Sequence, residues 1–320
     1  MAVSEGSSIV DACDGAARPH SRRRRCTVAA VAVAGWLAAA ALYAQAPADE
    51  PTVKVPYVPT PWPVVKAMLD LGQVGERDFL IDLGSGDGRV VIEAARTRGA
   101  RGIGVELDPD LVRLSSDEAK RLGVAARAQF SRQDLFETDL TPATVITMYL
   151  LPHINMALRP RLASELRPGT RIVSHDFGMG DWQADAQVKI PVPEKSYGPP
   201  YSTLYLWVVP AFVNGIWEGR YGETGQYRLD LRQQFQRVSG TLTIAGRSAK
   251  IEATPIAGDR LAFSAVLDGA GGVRARHAFD GRSQAGELVG TWTVTALGAA
   301  VTAPVTVPAR AVRAESARKP

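Results

Sequence analysis

From residue 79 to residue 209, short apolar runs alternate with segments of helical periodicity. The runs at 79–83 (FLIDL), 102–107 (GIGVEL), 128–132, 143–149 and 170–175 read as strands, and 89–97, 109–122 and 155–166 read as the helices between them. Strands that alternate with helices pair in parallel and carry helices on their faces, so this region is α/β. Two further strands are expected at 187–191 and 202–209. Ahead of the first strand, residues 51–63 hold five prolines and form an extended lead-in to a short helix at 64–71, placed to lid a ligand. Beyond Pro210 the pattern changes to period two. Tyr227, Leu229 and Leu231 alternate with Arg228, Asp230 and Arg232, a half-buried strand. Similar runs at 240–244, 249–253, 261–266, 273–279, 287–294 and 300–307 are separated by Ser239-Gly240, Asp268-Gly269, Gly271-Gly272 and Asp280-Gly281. Roughly eight antiparallel strands at this spacing predict a small barrel or sandwich, with Trp217 and Trp292 in its core. Residues 309–320 are polar and basic and read as a disordered tail.

Within the α/β region the first strand closes on an acid and a glycine-rich turn, Asp82-Leu83-Gly84-Ser85-Gly86-Asp87-Gly88. The glycines let the chain bend tightly and let a ligand approach main-chain N–H groups. The spacing is G-x-G-x-G, unlike the G-x-G-x-x-G of dinucleotide sites. A carboxylate beside such a turn suits a cationic ligand better than a pyrophosphate. Glu106 ends the second strand, where a carboxylate can accept both hydroxyls of a ribose. Asp134 follows the third strand and is placed to accept an adenine amine, with Leu135 or Phe136 against the ring. Each acid also has a plainer reading: Glu106 as a strand-end neighbour of the next helix, Asp134 as a solvated loop residue.

These residues resemble the successive S-adenosylmethionine (SAM) contacts of class I methyltransferases. PYVPTP at 56–61 and DLGSGDGRVVIEAA at 82–95 are similar to the protein-lysine methyltransferases that act on small inner-membrane proteins of mitochondria. Bacterial relatives of unassigned substrate share this pattern, including VSHDF at 173–177 and LYLWVVPA at 204–211, so the resemblance covers 56–211. It implies a Rossmann-like seven-stranded sheet, SAM as cofactor, and cofactor contacts at Thr60, Asp82, Gly84, Ser85, Gly86, Asp87, Gly88, Glu106, Asp134 and Leu135. It also places the methyl acceptor beyond the fourth and fifth strands, where Tyr149, His153, His175, Asp176 and Phe177 lie. Enzymes that methylate exocyclic base amines carry Asn or Asp before Pro-Pro-Tyr there; this chain does not, which argues against a nucleobase. No paired metal acids of the catechol type occur. For an amine acceptor, Tyr149 and Phe177 would form apolar walls that lower the amine pKa, with Asp176 or His153 taking the proton. The alternative is a non-catalytic SAM or nucleoside binder, or an envelope protein whose β-domain holds an apolar ligand.

The net charge of +4 is partly due to residues 1–46, which carry five arginines against three acids; the body has no Lys/Arg run that asks for nucleic acid. Both cysteines, Cys13 and Cys26, fall in that leader, so the body has neither disulfides nor cysteine-metal sites. Arg22–Arg25, a mostly apolar run at 26–43 and Ala44-Gln45-Ala46 read as a signal peptide or an N-terminal membrane anchor. The body is then exported or anchored facing outward, in tension with the cytoplasmic origin of charged SAM; a cytoplasmic protein is the alternative. The expected layout is a leader at 1–46, a methyltransferase domain at 47–212, an all-β accessory domain at 213–308 and the tail. A protein or amine substrate is expected, with membrane association through the leader.

Overall fold

The computed structural model describes residues 57–195, 198–221, 225–269, 272–298 and 303–314. The leader, Pro56 of PYVPTP and residues 315–320 of the expected tail lie outside the described residues.

The lead-in enters helix α1 (Trp62–Leu71), which begins two residues earlier than the pattern suggests because Pro63 is well suited to a first helical turn. There follow β1 (Phe79–Leu83), α2 (Arg89–Arg98), β2 (Arg101–Glu106), α3 (Pro109–Arg121), β3 (Ala128–Arg132), β4 (Val145–Met148), α4 (Pro152–Glu165), β5 (Arg171–His175), β6 (Ala186–Pro191) and β7 (Tyr201–Val208). The seven strands form one sheet in the order β3-β2-β1-β4-β5-β7-β6. Neighbours from β3 to β5 are parallel, and β7 runs antiparallel to both β5 and β6. Strand order reverses between β1 and β4, so a crevice opens at the carboxyl ends of those strands, the usual place for a ligand in an open α/β sheet. β1 and β4 are buried without alternation because both faces are covered, and their polar residues Asp82 and Thr147 pair with each other. Leu80, Val90, Val91 and Ala94 pack on one side; Ile81, Leu83, Ile146, Leu158 and Leu162 pack on the other. Helix α3 starts at Asp108, whose carboxylate accepts from the Asp110 amide at 2.9 Å.

The second sheet contains β8 (Gly215–Tyr221), β9 (Gly225–Gln234), β10 (Arg237–Ile244), β11 (Arg247–Lys250), β12 (Glu252–Ala253), β13 (Arg260–Asp268), β14 (Arg274–Gln284), β15 (Glu287–Leu297) and β16 (Val305–Arg313). Its order is β11-β10-β9-β8-β16-β15-β14-β13-β12. The two ends of that order adjoin in sequence: β11 pairs with β10, β12 pairs with β13, and the Ile251 amide between them donates to the Gly240 carbonyl at 3.0 Å. The sheet is therefore a nearly closed antiparallel barrel, and Trp217 and Trp292 are buried in its core.

Two expectations are corrected here. The final strand runs to Arg313, not to residue 307, and residues 309–313 are paired with β8 rather than disordered. Ala309 and Ala311 face inward against Arg310 and Val312, an alternation carried by side chains too small to stand out in the sequence. β8 itself is the extra strand, disguised by two glycines and a charged pair around Trp217.

Candidate functional site

At the donor end, Gly84, Gly86 and Gly88 all adopt left-handed conformations (φ +74°, +53° and +77°), which side-chain-bearing residues enter at a cost of about 1–2 kcal/mol. A Cβ on Gly86 would lie 2.5 Å from the Tyr57 ring, and one on Gly88 would lie 2.5 Å from Phe130. The turn's amides are largely satisfied within the protein. Gly84 and Ser85 donate to the Val105 carbonyl, Gly88 to the Ser85 carbonyl, and Gly86 to Glu106 Oε2 at 3.0 Å. The loop thus offers shape and close backbone approach, not the row of N–H donors expected from its glycines.

Beneath the turn, Asp82 is buried and accepts from the Thr147 hydroxyl at 2.6 Å. Burial, reinforced by the charges of Asp87 and Glu106, pushes its carboxyl up to about 7 against that hydrogen bond. Glu106 Oε1 accepts from the amides of Leu107 (2.8 Å) and Asp108 (3.1 Å). Oε1 is filled by these two amides, whereas Oε2 accepts only from Gly86 and keeps lone-pair capacity for one further donor. Asp134 Oδ1 accepts from the Phe136 amide at 2.8 Å, turning the chain so that Leu135 packs into the core while Phe136 is 42% exposed. Phe136, rather than Leu135, is therefore the side chain presented at the rim. Ser85 also departs from expectation. It is buried, its Oγ has no hydrogen-bond partner, and it lies only 2.5 Å from where a Cβ on Gly104 would be, so it packs against β2 instead of facing the crevice.

The lead-in folds over this end. Arg89 grips Asp87 through Nε (2.9 Å) and Nη2 (2.6 Å), donates from Nη1 to the Thr60 carbonyl at 2.7 Å, and lies over the Trp62 ring at 5.3 Å. Although burial raises it, the Asp87 carboxyl is held below its ordinary range by Arg89. Burial and the Asp87 charge push the Tyr57 phenol up to about 12. Arg89 was absent from the sequence-based candidates; its position directly after the last glycine was the available signal.

At the acceptor end, Tyr149 stacks on His175 with ring centroids 3.8 Å apart, and Phe177 stands 6.4 Å from Tyr149. His175 is fully buried, with Nε2 2.8 Å from the Ser202 hydroxyl and Nδ1 3.4 Å from the Thr60 hydroxyl. Burial pulls its imidazole down to about 4, so the wall is neutral near pH 7. Thr60 thereby bridges the two ends: its carbonyl is held by Arg89 and its hydroxyl touches the acceptor wall.

Asp176 does not serve as the free proton acceptor that the sequence suggests. Its Oδ1 accepts from the Thr203 amide at 2.8 Å and its Oδ2 pairs with the buried Lys195 ammonium at 2.5 Å. The residue sits at φ +61°, a strained conformation fixed by these bonds. His153 is exposed in the first turn of α4, on the crevice rim rather than in the wall. Asn155, two residues further along the helix, was also not singled out by the sequence. It is buried and donates to the Phe177 carbonyl at 3.1 Å, tying α4 to the chain beyond β5.

Left-handed glycines whose Cβ positions are filled, a buried carboxylate and two more acids around the crevice fit a ligand with a sulfonium, an ammonium and a ribose. The comparisons with known proteins agree. The "ANTKMT methyltransferase domain" family matches residues 82–186. A protein-lysine N-methyltransferase of Saccharolobus islandicus is 40% identical over 156 residues, 48% of this chain and 94% of that protein. The chain belongs to this methyltransferase family. The adenine nucleotide translocase lysine N-methyltransferase of Mus musculus is 36% identical, over 42% of this chain and 59% of that enzyme. A crystal structure described as an RNA methyltransferase from Salinibacter ruber with S-adenosylhomocysteine is 51% identical. It covers 49% of this chain and 96% of its own, at a TM-score of 0.45. The protein is a SAM-dependent methyltransferase, and SAM is its methyl donor. The shape and charge of the crevice fit it at Asp82, the glycine loop and Glu106, the residues that would hold it.

Proposed function

We propose that this methyltransferase modifies a lysine side chain of a small membrane-associated protein, from an exported or outward-facing, membrane-anchored position. The observation that carries the acceptor assignment is the wall of Tyr149, His175 and Phe177 beside the donor loop. A lysine enters the reaction only as the neutral amine, and an aromatic wall backed by an uncharged histidine disfavours the ammonium form. The amine loses its proton to water, directly or by way of His153, which is exposed in the first turn of α4. Its lone pair then bonds to the methyl carbon as the carbon–sulfur bond breaks; the sulfonium becomes a neutral thioether, and the methylated ammonium later sheds its extra proton. Alignment of acceptor, methyl and sulfur supplies most of the acceleration. Asp176, paired with Lys195, takes no proton in this scheme. The lysine-directed names of the relatives support the reading.

The proposed location rests on Arg22–Arg25, the apolar run at 26–43 and Ala44-Gln45-Ala46. A reporter fused after Glu50 is expected outside the inner membrane; recovery of full-length protein purely from the cytosol overturns it. The acceptor class is tested by incubating the full-length enzyme with methyl-labelled SAM and cell fractions. Label in lysine of a membrane-fraction protein supports the proposal. Label in RNA, lipid or a small molecule removes the lysine assignment and leaves the SAM chemistry standing.

A further inference from the structure

The barrel begins at Gly215, beyond the family match that ends at residue 186. One of its hairpins departs from the others. The β10–β11 and β14–β15 turns are Ala245-Gly246 and Ala285-Gly286, small residues in left-handed conformations, and a Cβ on either glycine would touch nothing within 4 Å. The β9–β10 turn is Phe235-Gln236, and Phe235 takes φ +51°, where glycine is the usual occupant. A large aromatic residue at a strained turn position needs a compensating contact.

That contact is made with the methyltransferase sheet. Phe235 stacks on Trp182 with centroids 5.0 Å apart and planes 4° apart, and the guanidinium of Arg159, on α4, lies 5.4 Å from the centroid of the Phe235 ring. Gln236, buried, donates to the Gln183 carbonyl at 2.6 Å, and Gln234 donates to Asp181 Oδ2 at 3.3 Å. Arg159 also pairs with Asp181 and donates to the Met179 carbonyl at 3.1 Å. Apart from Arg159 on α4, these partners lie in the connection 176–185 from β5 to β6, the chain that begins with Asp176 and Phe177. At its start the same connection is held by Asn155 through the Phe177 carbonyl.

We propose that the barrel is a brace for the acceptor wall. Through the β9–β10 turn it fixes the 176–185 connection, and Phe235 is a positioning residue for methyl transfer that touches neither cofactor nor acceptor. The proposal rests on the reading that the acceptor lies at the β4–β5 edge.

The test uses the full-length protein, methyl-labelled SAM, and inner-membrane vesicles from cells lacking the gene as acceptor. Phe235→Ala is expected to lower kcat/KM for the vesicle acceptor roughly tenfold to a hundredfold, the scale of an ångström-sized misplacement. SAM affinity stays within about twofold, because the donor loop makes no contact with the turn. Amides of 177–185 should exchange about three- to tenfold faster, as loss of one aromatic stack predicts, with no change at 84–88. Phe235→Trp restores both readouts, and Gln236→Ala moves them in the same direction should Phe235→Ala fail to fold. Unchanged exchange and kinetics in a folded Phe235→Ala overturn the brace, as does a parallel loss of SAM affinity. If the wild type labels no vesicle protein, the acceptor reading fails, and the exchange data alone decide the brace.

Discussion

At the donor end of the crevice, all the decisive residues but Glu106 lie in one short stretch, Asp82–Gly88, whose constraints come mainly from backbone conformation. Beyond β4 and β5, Tyr149 stacks on His175, and His175 and Asp176 are held by the side chains of Thr60, Lys195 and Ser202 and the amide of Thr203, residues distant in sequence. The first arrangement is rigid because glycine conformations and filled Cβ positions leave the loop few alternatives. The second is rigid only while each buried polar partner is present. Damage should therefore take different forms at the two ends: lost cofactor affinity at the first, lost stability or acceptor handling at the second.

The largest expected effect tests the acceptor end. Asp176→Asn leaves the buried Lys195 ammonium without its carboxylate, and breaking a buried ion pair from one side costs about 3–5 kcal/mol. Denaturant unfolding should show that loss, and Asp176→Asn combined with Lys195→Met should recover much of it. SAM affinity of the folded fraction should hardly change. A variant of wild-type stability that loses only turnover would return Asp176 to the role of proton acceptor and remove the contrast between the ends.

Next in size is Glu106→Ala. It removes an acceptor of charge-assisted hydrogen bonds, each contributing about 1.5–3 kcal/mol, so SAM affinity should fall roughly ten- to a hundredfold by calorimetry. The variant also frees the Gly86 amide, loosening the turn itself. At saturating SAM the acceptor KM should be unaffected. An unchanged SAM affinity would show that Glu106 serves only the backbone.

The same contrast explains what the sequence made legible. The glycine turn, Asp82 and Glu106 are readable because local backbone geometry demands those residue types at those spacings. The central strands β1, β4 and β5 are readable because the middle of a sheet covered on both faces is buried almost without interruption, whereas β3 and β6 at the sheet edges carry polar, more exposed residues. The aromatic wall was half readable: Tyr149 and Phe177 do follow β4 and β5 and lie beside each other, but nothing near Asp176 in the sequence announces Lys195, nineteen positions away. Ser85 was misread because a motif residue need not face the ligand, and only the missing side chain of Gly104 reveals where it packs. The final strand was shortened because Ala309 and Ala311 bury too little area to mark a period of two.

The smallest effect distinguishes the ends by pH. Asp82, raised by burial to about 7, is largely protonated in the free enzyme below that pH. A cationic ligand favours the carboxylate, so binding must expel the proton. SAM affinity should then fall with decreasing pH below about 7, by at most about tenfold per unit. Two opposed stability contributions accompany this. Asp82, ionising more readily in the unfolded chain, lowers stability as pH rises from 3.8 to about 7. His175, lowered from 6.5 to about 4, lowers stability as pH falls through that window, because the unfolded chain takes up the proton first. Measuring affinity between about pH 6 and 8 limits the His175 contribution, since the imidazole is neutral in the folded protein there. Calorimetry in buffers of different ionisation enthalpy should detect proton release on SAM binding near pH 7, and Asp82→Asn should abolish both the release and the pH slope. Binding without proton release would mean that Asp82 shapes the turn from below without sensing the ligand's charge.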